Sequence, residues 1–180
     1  MSTNTDAEII EVRVREIGQL FNSLDPSPFH ERDIDTDAED FIVGYARELP
    51  SNRPFLLIVH LPQEQARIAV ERGLQTAFAN YFAYRAERIE LQLRDLFRNG
   101  RRHLAIGLPL LVVCLLASQY LGGALAQRPW GRIVEESFII LGWVANWKPI
   151  EIFLYDWWPI RRDLALYRWL AMRRIEIKSI

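Results

Sequence analysis

Two long apolar segments dominate the pattern of hydrophobic and polar positions in the C-terminal half of the chain. Residues 104–126 contain no charged side chain, and about 20 apolar residues are enough for a helix to cross roughly 30 Å of hydrocarbon. A second apolar segment follows the short loop QRPWGR. The pattern predicts a transmembrane hairpin over residues 103–159, with spans at about 104–126 and 133–157.

Tryptophans mark the two ends of the second span. Trp130 precedes it, and Trp157 and Trp158 close it, as expected of aromatic belts at the two membrane interfaces. A shorter alternative ends the span at Trp147 and lays the residues that follow along the interface. That alternative leaves about 15 residues to cross, fewer than the roughly 20 required, so we favour the longer register.

Three ionisable residues lie in the second apolar segment, namely Lys148, Glu151 and Asp156. In the longer register they form an intramembrane charged cluster, which is costly unless the charges are paired. Lys148 and Glu151 are three residues apart, so a helix makes them neighbours. We favour a structural pair that holds the hairpin or an oligomer together. An ion or proton path is the alternative.

Basic residues are unevenly distributed around the two spans. The connecting loop contains only Arg128 and Arg132, whereas Arg161 and Arg162 begin a richer basic segment after the second span. By the positive-inside rule, both termini are expected in the cytoplasm of a bacterial cell, with a multi-pass inner-membrane location. The other basic residues that support this orientation are Arg94, Arg98, Arg101, Arg102, Arg168, Arg173 and Arg174.

Short strand patterns occur near both ends of the chain. Residues 10–15 alternate between apolar and charged, residues 54–62 are almost continuously apolar, and Ile175 and Ile177 alternate with polar neighbours. The predicted fold is therefore an α+β membrane protein. A small cytoplasmic three-stranded α/β module occupies residues 1–102. The transmembrane hairpin is inserted before the last strand, and residues 160–180 supply a helix and that strand.

Two helices are predicted in the N-terminal half. The first covers residues 37–48, where Thr36 and Glu39 have the spacing of a capping box. The second is a long connecting helix over residues 63–98, and Asn99-Gly100 is its expected stop. The aromatic middle of the long helix (residues 78–84) is broader than one domain face needs, and we expect it to contact another subunit or to lie on the membrane surface. An aromatic stripe in the second apolar segment is expected to contact lipid or another subunit. The aromatic residues of these two groups are Phe78, Tyr81, Phe82, Trp143 and Trp147.

Candidate chemistry is sparse. His30, Glu31, Asp33 and Asp35 could ligate a metal, but their spacing matches no specific ligand pattern, and Asp35 suits a helix N-terminus. We expect loop and capping roles, with no metal, cofactor or catalytic residue. His60 and His103 are expected to be structural, as is Cys114, the single cysteine, which we interpret as a small buried apolar side chain.

Several segments resemble uncharacterised bacterial two-span inner-membrane proteins. They are FNSLDPSPFHERDID near the start and GWVANWKPIEIFLYDWWPIRR, which includes EIFLYDWWPIRR, near the end. The resemblance implies a two-span protein in a bacterial inner membrane. It implies no activity and no site residue.

The net charge of −1 argues against a nucleic-acid partner. The expected partners are the lipid bilayer and either further copies of the chain or a larger membrane complex. We expect a scaffold or accessory subunit that binds itself or another protein through its cytoplasmic module. An oligomeric ion channel or transporter component that uses the Lys148/Glu151 pair is the alternative. An enzyme is least favoured, since it would need a metal at the His30 cluster.

Overall fold

The computed structural model describes residues 8–49 and 55–180. Residues 1–7 of the predicted module and Pro54, the first residue of the predicted second strand, lie outside the described residues. Single 3-10 turns occur at Ile17–Leu20 and Phe29–Glu31, and a π-helical turn at Ile152–Asp156. The main elements are β1 (Glu8–Arg13), α1 (Thr36–Glu48), β2 (Phe55–Leu61), α2 (Gln63–Glu71), α3 (Leu74–Ala124), α4 (Gly131–Glu151), α5 (Trp157–Ala171) and β3 (Ile175–Ser179).

The chain divides into two compact units. Unit 1 contains the described residues up to Arg88 together with Asp163–Ile180, and unit 2 contains Ile89–Arg162. Strands from both ends of the chain therefore belong to the same unit.

The three predicted strands form one sheet in unit 1, as expected. The strand order is β1-β2-β3, and both neighbouring pairs are parallel. Parallel pairing requires a crossover connection between consecutive strands. Here α1 lies in the first crossover, and α2 to α5 all lie in the second. The two long apolar helices are thus part of the connection between β2 and β3.

The core of unit 1 forms where helices cover the central strand. Val59 and Leu61 of β2 are fully buried, as are Ile42 of α1 and Phe78 and Phe82 of α3. Full burial of a side chain of this size contributes about 1.5–3 kcal/mol. The apolar run of β2, interrupted only by His60, is explained by its central position, because strands pair with both its edges and most of its side chains are buried.

Burial corrects the expected role of the aromatic group on α3. Phe78 is 1% exposed, Tyr81 8% and Phe82 2%. These side chains pack within unit 1, with Phe78 against Phe82 and Tyr81 against Phe82. They are therefore not available for the subunit contact that the sequence suggested. Three helices and a sheet converge here, which demands a wider apolar surface than one helix face.

Helix α1 begins differently from the predicted capping box. Asp35 is the N-cap residue, and its side chain accepts a hydrogen bond from the Asp37 amide at 3.1 Å. Thr36 is already the first helical residue, and Glu39 turns into the core instead of back toward the cap. An aspartate at the N-cap accepts a hydrogen bond from a backbone amide of the first turn, as the expected threonine would.

The single helix predicted over residues 63–98 is two helices. α2 ends at Glu71, and Gly73 adopts a φ of 73° before α3 begins at Leu74. The expected stop at Asn99-Gly100 is wrong, because α3 continues to Ala124. Gly100 is buried in unit 2, where a Cβ would lie 2.9 Å from the Ile152 side chain. That glycine permits close helix packing, and it does not end the helix.

We predict that Gly73→Ala lowers the free energy of unfolding by about 1 kcal/mol, because a Cβ is strained at positive φ. The control is Gly44→Ala in the middle of α1, where the new Cβ meets nothing within 4 Å. That change should stabilise by about 0.5–1 kcal/mol through helix propensity. Urea unfolding of both variants checks the prediction, and a shift of the same sign in both would contradict it.

Two helical segments among the described residues are long and apolar enough to cross a membrane, by length and composition: Leu74–Ala124 and Gly131–Ala171. In their most apolar 18-residue windows, only 17% and 22% of the residues are buried. The core helix of a soluble protein would be mostly buried. Length, composition and exposure are together compatible with membrane association.

Candidate functional site

A buried carboxylate organises the helices of unit 1. Glu39 of α1 is 8% exposed. Tyr81 of α3 donates its hydroxyl to Glu39 Oε2 at 2.6 Å, and Tyr167 of α5 donates to Oε1 at 2.6 Å. Arg85, one turn after Tyr81, donates its Nε to Oε1 at 3.0 Å. We call these four residues the Glu39 cluster.

The chemistry of the Glu39 cluster favours a structural role. A buried charge is tolerated when it is paired and hydrogen-bonded, and both oxygens of Glu39 receive charge-assisted bonds of short length. The Arg85 guanidinium also stacks over the Tyr167 ring, 5.7 Å from its centroid. Since the donors come from the chain's own helices, the cluster joins α1, α3 and α5.

The phenols of the cluster hold their protons strongly. Burial, followed by the hydrogen bond to Glu39, raises the pKa of Tyr167 from its ordinary 10 to about 12. The same two causes raise the pKa of Tyr81. In both cases the ionised phenol would be desolvated and would face a carboxylate.

This pKa shift predicts a loss of stability at alkaline pH. Because the folded pKa of Tyr167 is the higher one, its contribution is complete below pH 10 and is lost as the pH rises from 10 toward 12. By about pH 11 the loss should be roughly 1.4 kcal/mol. Urea unfolding at several pH values checks this against Tyr167→Phe, which lacks the ionisation. Parallel pH profiles of the two proteins would contradict the assignment.

The residues considered for a metal site have other roles. The Asp33 amide donates to Asp25 at 2.7 Å, and Asp35 caps α1. His30 and Glu31 are exposed on the 3-10 turn, with His30 Nε2 3.7 Å from a Glu31 oxygen. Within residues 8–49 and 55–180, no group of three or more histidine, cysteine or acidic side chains is placed to hold a metal ion.

The remaining histidines and the cysteine are also placed. His60 lies on β2 with its Nε2 3.6 Å from a Glu11 carboxylate oxygen, and His103 is exposed on α3. Cys114 is 3% exposed, as expected for a small buried side chain.

The helix pair of unit 2 is held by an amide inside its apolar surface. Asn146 is 4% exposed, and its Nδ2 donates to the Gly107 carbonyl at 2.9 Å and to the Gly142 carbonyl at 3.0 Å. Its Oδ1 lies 2.7 Å from where a Gly107 Cβ would be. The missing side chain of Gly107 thus provides the room in which the amide sits. Polar side chains bridging closely packed helices at small residues are typical of membrane helix pairs.

Small residues continue this contact along both helices. A Cβ on Gly142 would lie 2.8 Å from a Leu111 methyl and 3.2 Å from Cys114 Cβ. Ser118 is 2% exposed and donates to the Glu135 carbonyl at 3.1 Å. Gly100, Gly107 and Cys114 lie seven residues apart along α3, and Ser118 and Gly122 follow at intervals of four. Intervals of seven and four are typical of a helix-pairing seam. The small residues of α3 on this seam are Gly100, Gly107, Cys114, Ser118 and Gly122.

The three charges considered at the sequence level meet beside the π-helical turn. Lys148 Nζ lies 3.1 Å from Glu151 Oε2 and 3.3 Å from Asp156 Oδ2. The expected Lys148–Glu151 pair is therefore present, and Asp156 joins it. The π-helical turn adds one residue to a helical turn, which changes the direction of the side chains that follow.

Helix pairing aligns the triad of Lys148, Glu151 and Asp156 with one part of α3. Asn146 lies at the level of Gly107, and Ile152 at the level of Gly100. Lys148 comes between these levels, close to the charged residues Arg101 and Arg102 that precede the apolar run of α3. The triad of Lys148, Glu151 and Asp156 therefore lies at the level where the apolar run of α3 begins. Exposed apolar side chains of the second helical segment continue beyond it, namely Phe153, Leu154 and Trp158.

The tryptophans considered as belts are placed on the surface of unit 2 or close to it. Trp130 is 48% exposed and Trp158 is 64% exposed. Trp157 packs on Phe97 and Trp158, with the Arg161 guanidinium 5.6 Å from its ring centroid. The exposed side chains of this group also include Arg162, Trp143 and Trp147.

Sequence reasoning missed both the Glu39 cluster and the Asn146 contact. Asn146 could have been found, because an amide between two tryptophans in an apolar helix is costly unless bonded. Gly100, Gly107 and Cys114, seven residues apart, were a further signal. Glu39 and Tyr167 are 128 residues apart, and no local pattern connects them.

The described residues therefore place one polar constellation in each unit. The Glu39 cluster is hydrogen-bonded through both carboxylate oxygens, whereas Asn146 is bonded through Nδ2 and its buried Oδ1 has no hydrogen-bond partner among the described residues. No family model, curated protein or solved structure matches the chain, so its function is inferred from this geometry.

Proposed function

We propose that the chain is an integral membrane protein of a bacterial inner membrane. In this proposal α4 and the C-terminal half of α3 form a transmembrane hairpin, and unit 1 lies in the cytoplasm with both termini. The protein serves as a scaffold or accessory subunit that binds itself or a protein partner through unit 1.

One observation carries the proposal, namely the exposed apolar surface of the helix pair. Ile106 is 70% exposed, Val113 60% and Trp147 68%. A continuous apolar surface of this kind is unfavourable in water and indicates contact with lipid or protein. The internal seam supports lipid on the outside, because Asn146 and the small residues face the partner helix.

The charges at the two ends of the pair support the orientation. At the loop end, Arg132 donates to Glu136 at 2.8 Å. At the other end, Arg101, Arg102 and Arg162 are exposed. An excess of lysine and arginine near the ends of the spans is the mark of the cytoplasmic side. In this proposal the alignment of Lys148 with the start of the apolar run of α3 places the triad toward the cytoplasmic side of the hairpin.

A scaffold role is supported by the way in which polar groups are used. Glu39, the most buried carboxylate described, is saturated by donors from other helices. The buried side chains of Glu39 and Asn146 both hydrogen-bond to other helices and hold them together. A rigid binding module requires such contacts.

Membrane extraction and cysteine labelling test the proposal. Alkaline carbonate should leave the full chain in the membrane pellet. In a Cys114→Ala background, Gln127→Cys in the loop should react with an impermeant maleimide on intact spheroplasts. Ser179→Cys on β3 should react only after permeabilisation. Release by carbonate would overturn membrane insertion, and the reverse labelling pattern would overturn the orientation.

The alternative is an oligomeric channel or transporter component that uses Lys148 and Glu151. It is supported less well, because the charges of the triad pair with one another, with Lys148 Nζ 3.1 Å from Glu151 and 3.3 Å from Asp156. Replacing Lys148 by leucine and Glu151 by methionine together should abolish any ion flux in liposomes if this pair forms the path. Flux that survives the double replacement would exclude that role.

A further inference from the structure

We propose that β3 is a self-association edge, at which two copies of the chain pair antiparallel about a two-fold axis at Ile177. This inference rests on the self-association included in the proposed function, and it names the surface. The partner is a second copy, because the charges on this strand complement each other only when the strand meets itself in reverse.

The outer edge of β3 has backbone groups available for pairing. β3 pairs with β2 on one side only. The Ile180 amide donates to the Leu61 carbonyl at 2.9 Å. Backbone groups alternate in direction along a strand, so those of Ile175, Ile177 and Ser179 point to the outside.

At the start of this edge the backbone groups are already hydrogen-bonded to a side chain of the same chain. Gln75 of α3 accepts a hydrogen bond from the Ile175 amide at 2.7 Å and donates to the Arg173 carbonyl at 3.0 Å. This side chain confirms that the Ile175 amide points outward. It also leaves the groups of Ile177 and Ser179 as the open part of the edge, within the part of the chain that the structure describes.

Side-chain charge then selects the register. Ile175 and Ile177 lie on the same face of the sheet as Leu57 and Val59 of β2 and the buried Ile10 of β1. Glu176 and Lys178 lie on the opposite face, and neither makes an ion pair within the described ranges. Such charges usually protect an edge strand from pairing.

In an antiparallel pair of β3 strands centred on Ile177, these charges no longer oppose strand pairing. Glu176 of each copy stands opposite Lys178 of the other, which makes two cross-strand pairs of opposite charge. Ile177 meets Ile177 in a hydrogen-bonded position, and about four backbone hydrogen bonds form across the axis. A shift of two residues would place like charges together or leave them unpaired, so this register is selected.

The other edge of the sheet is a poorer candidate. On β1, Glu11 already lies 3.6 Å from His60 Nε2, and Glu8 has a partner within the chain. After Val14 the backbone bends, and the Gln19 side chain accepts from the Arg15 and Glu16 amides. Pairing through β1 would therefore compete with contacts that the chain makes itself.

Charge reversal of the full chain in detergent micelles tests the proposal by analytical ultracentrifugation. Glu176→Lys and Lys178→Glu, made singly, should each weaken the dimer about tenfold or more, because attractive pairs become repulsive. The double reversal should restore the wild-type dimer. Mixing the two single variants should give a heterodimer, since each then supplies the charges that the other needs. A monomeric wild-type chain, or single variants as dimeric as wild type, would overturn the proposal.

A disulfide gives a second, geometric test. Residues in a hydrogen-bonded antiparallel pair have Cα atoms about 5.5 Å apart, within the range that a disulfide can bridge. In the Cys114→Ala background, Ile177→Cys should crosslink to itself, and Ile9→Cys on β1 should not. Equal crosslinking at both positions would overturn the assignment to β3. Carbonate extraction is read separately, so a failure of membrane insertion is distinguishable from a failure of β3 pairing.

Discussion

Replacing Glu39 by leucine is expected to lower the free energy of unfolding of unit 1 by about 3 kcal/mol or more. The change removes the acceptor of two buried phenols and the partner of Arg85. Breaking a buried, paired charge costs about 3–5 kcal/mol. The lower end applies, because the Arg85 side chain is 44% exposed and water can solvate it.

Two variants make this prediction specific to the cluster. Glu39→Gln retains one acceptor and loses the charge, so it should cost about half as much as leucine. Asp40→Leu changes the next position of α1, which is exposed, and should stay within about 0.5 kcal/mol of wild type. Urea unfolding, with hydrogen exchange of the β2 amides as the readout for unit 1, checks both. Equal losses for Glu39→Leu and Asp40→Leu would contradict the role of the cluster.

The second large effect is expected at Gly107. A leucine there should destabilise the helix pair of unit 2 by about 2–4 kcal/mol, because overpacking adds to the lost interhelical hydrogen bond. The new Cβ would lie 2.7 Å from Asn146 Oδ1 and 3.2 Å from the Ala145 carbonyl oxygen. The Ala145 oxygen belongs to the backbone, so the helices must separate to make room.

Gly123→Leu is the matched control for this change. It lies on the same helix, and a Cβ there meets nothing within 4 Å. Leucine is also a better helix former than glycine, so this variant should be neutral or more stable by up to about 1 kcal/mol. Unfolding in mixed detergent micelles measures both variants. A control as unstable as Gly107→Leu would show that added bulk, and not the Asn146 contact, decides the result.

The fold was largely predictable where local pattern and burial coincide. β2 is apolar apart from His60 because it is the central strand, and residues 10–13 alternate because β1 lies at an edge. Both apolar helices were evident from the length and apolar composition of their segments. Glycine was the main source of error. At Gly73 it ends a helix through positive φ, and at Gly100 it permits close packing inside one. Residue identity does not distinguish these uses.

The candidate sites were predictable only in part. The Lys148–Glu151 pair followed from their spacing on a helix. Its position along the apolar surface required the alignment of α3 with α4, which is set by Gly107 and Asn146. Phe78 and Phe82 were recognised as an excess of aromatic surface, and tertiary packing showed that the chain itself covers them.

The sequence by itself determined the properties that depend on neighbours along the chain. These are the two apolar helices, the three strands, the cap near Asp35 and the uneven distribution of basic residues. Tertiary structure decided which distant groups meet. Glu39, Tyr81 and Tyr167 come from three helices, and the π-helical turn brings Asp156 to Lys148. The reason is physical: helix and strand periodicity are local, whereas the pairing of a buried charge depends on how whole elements pack.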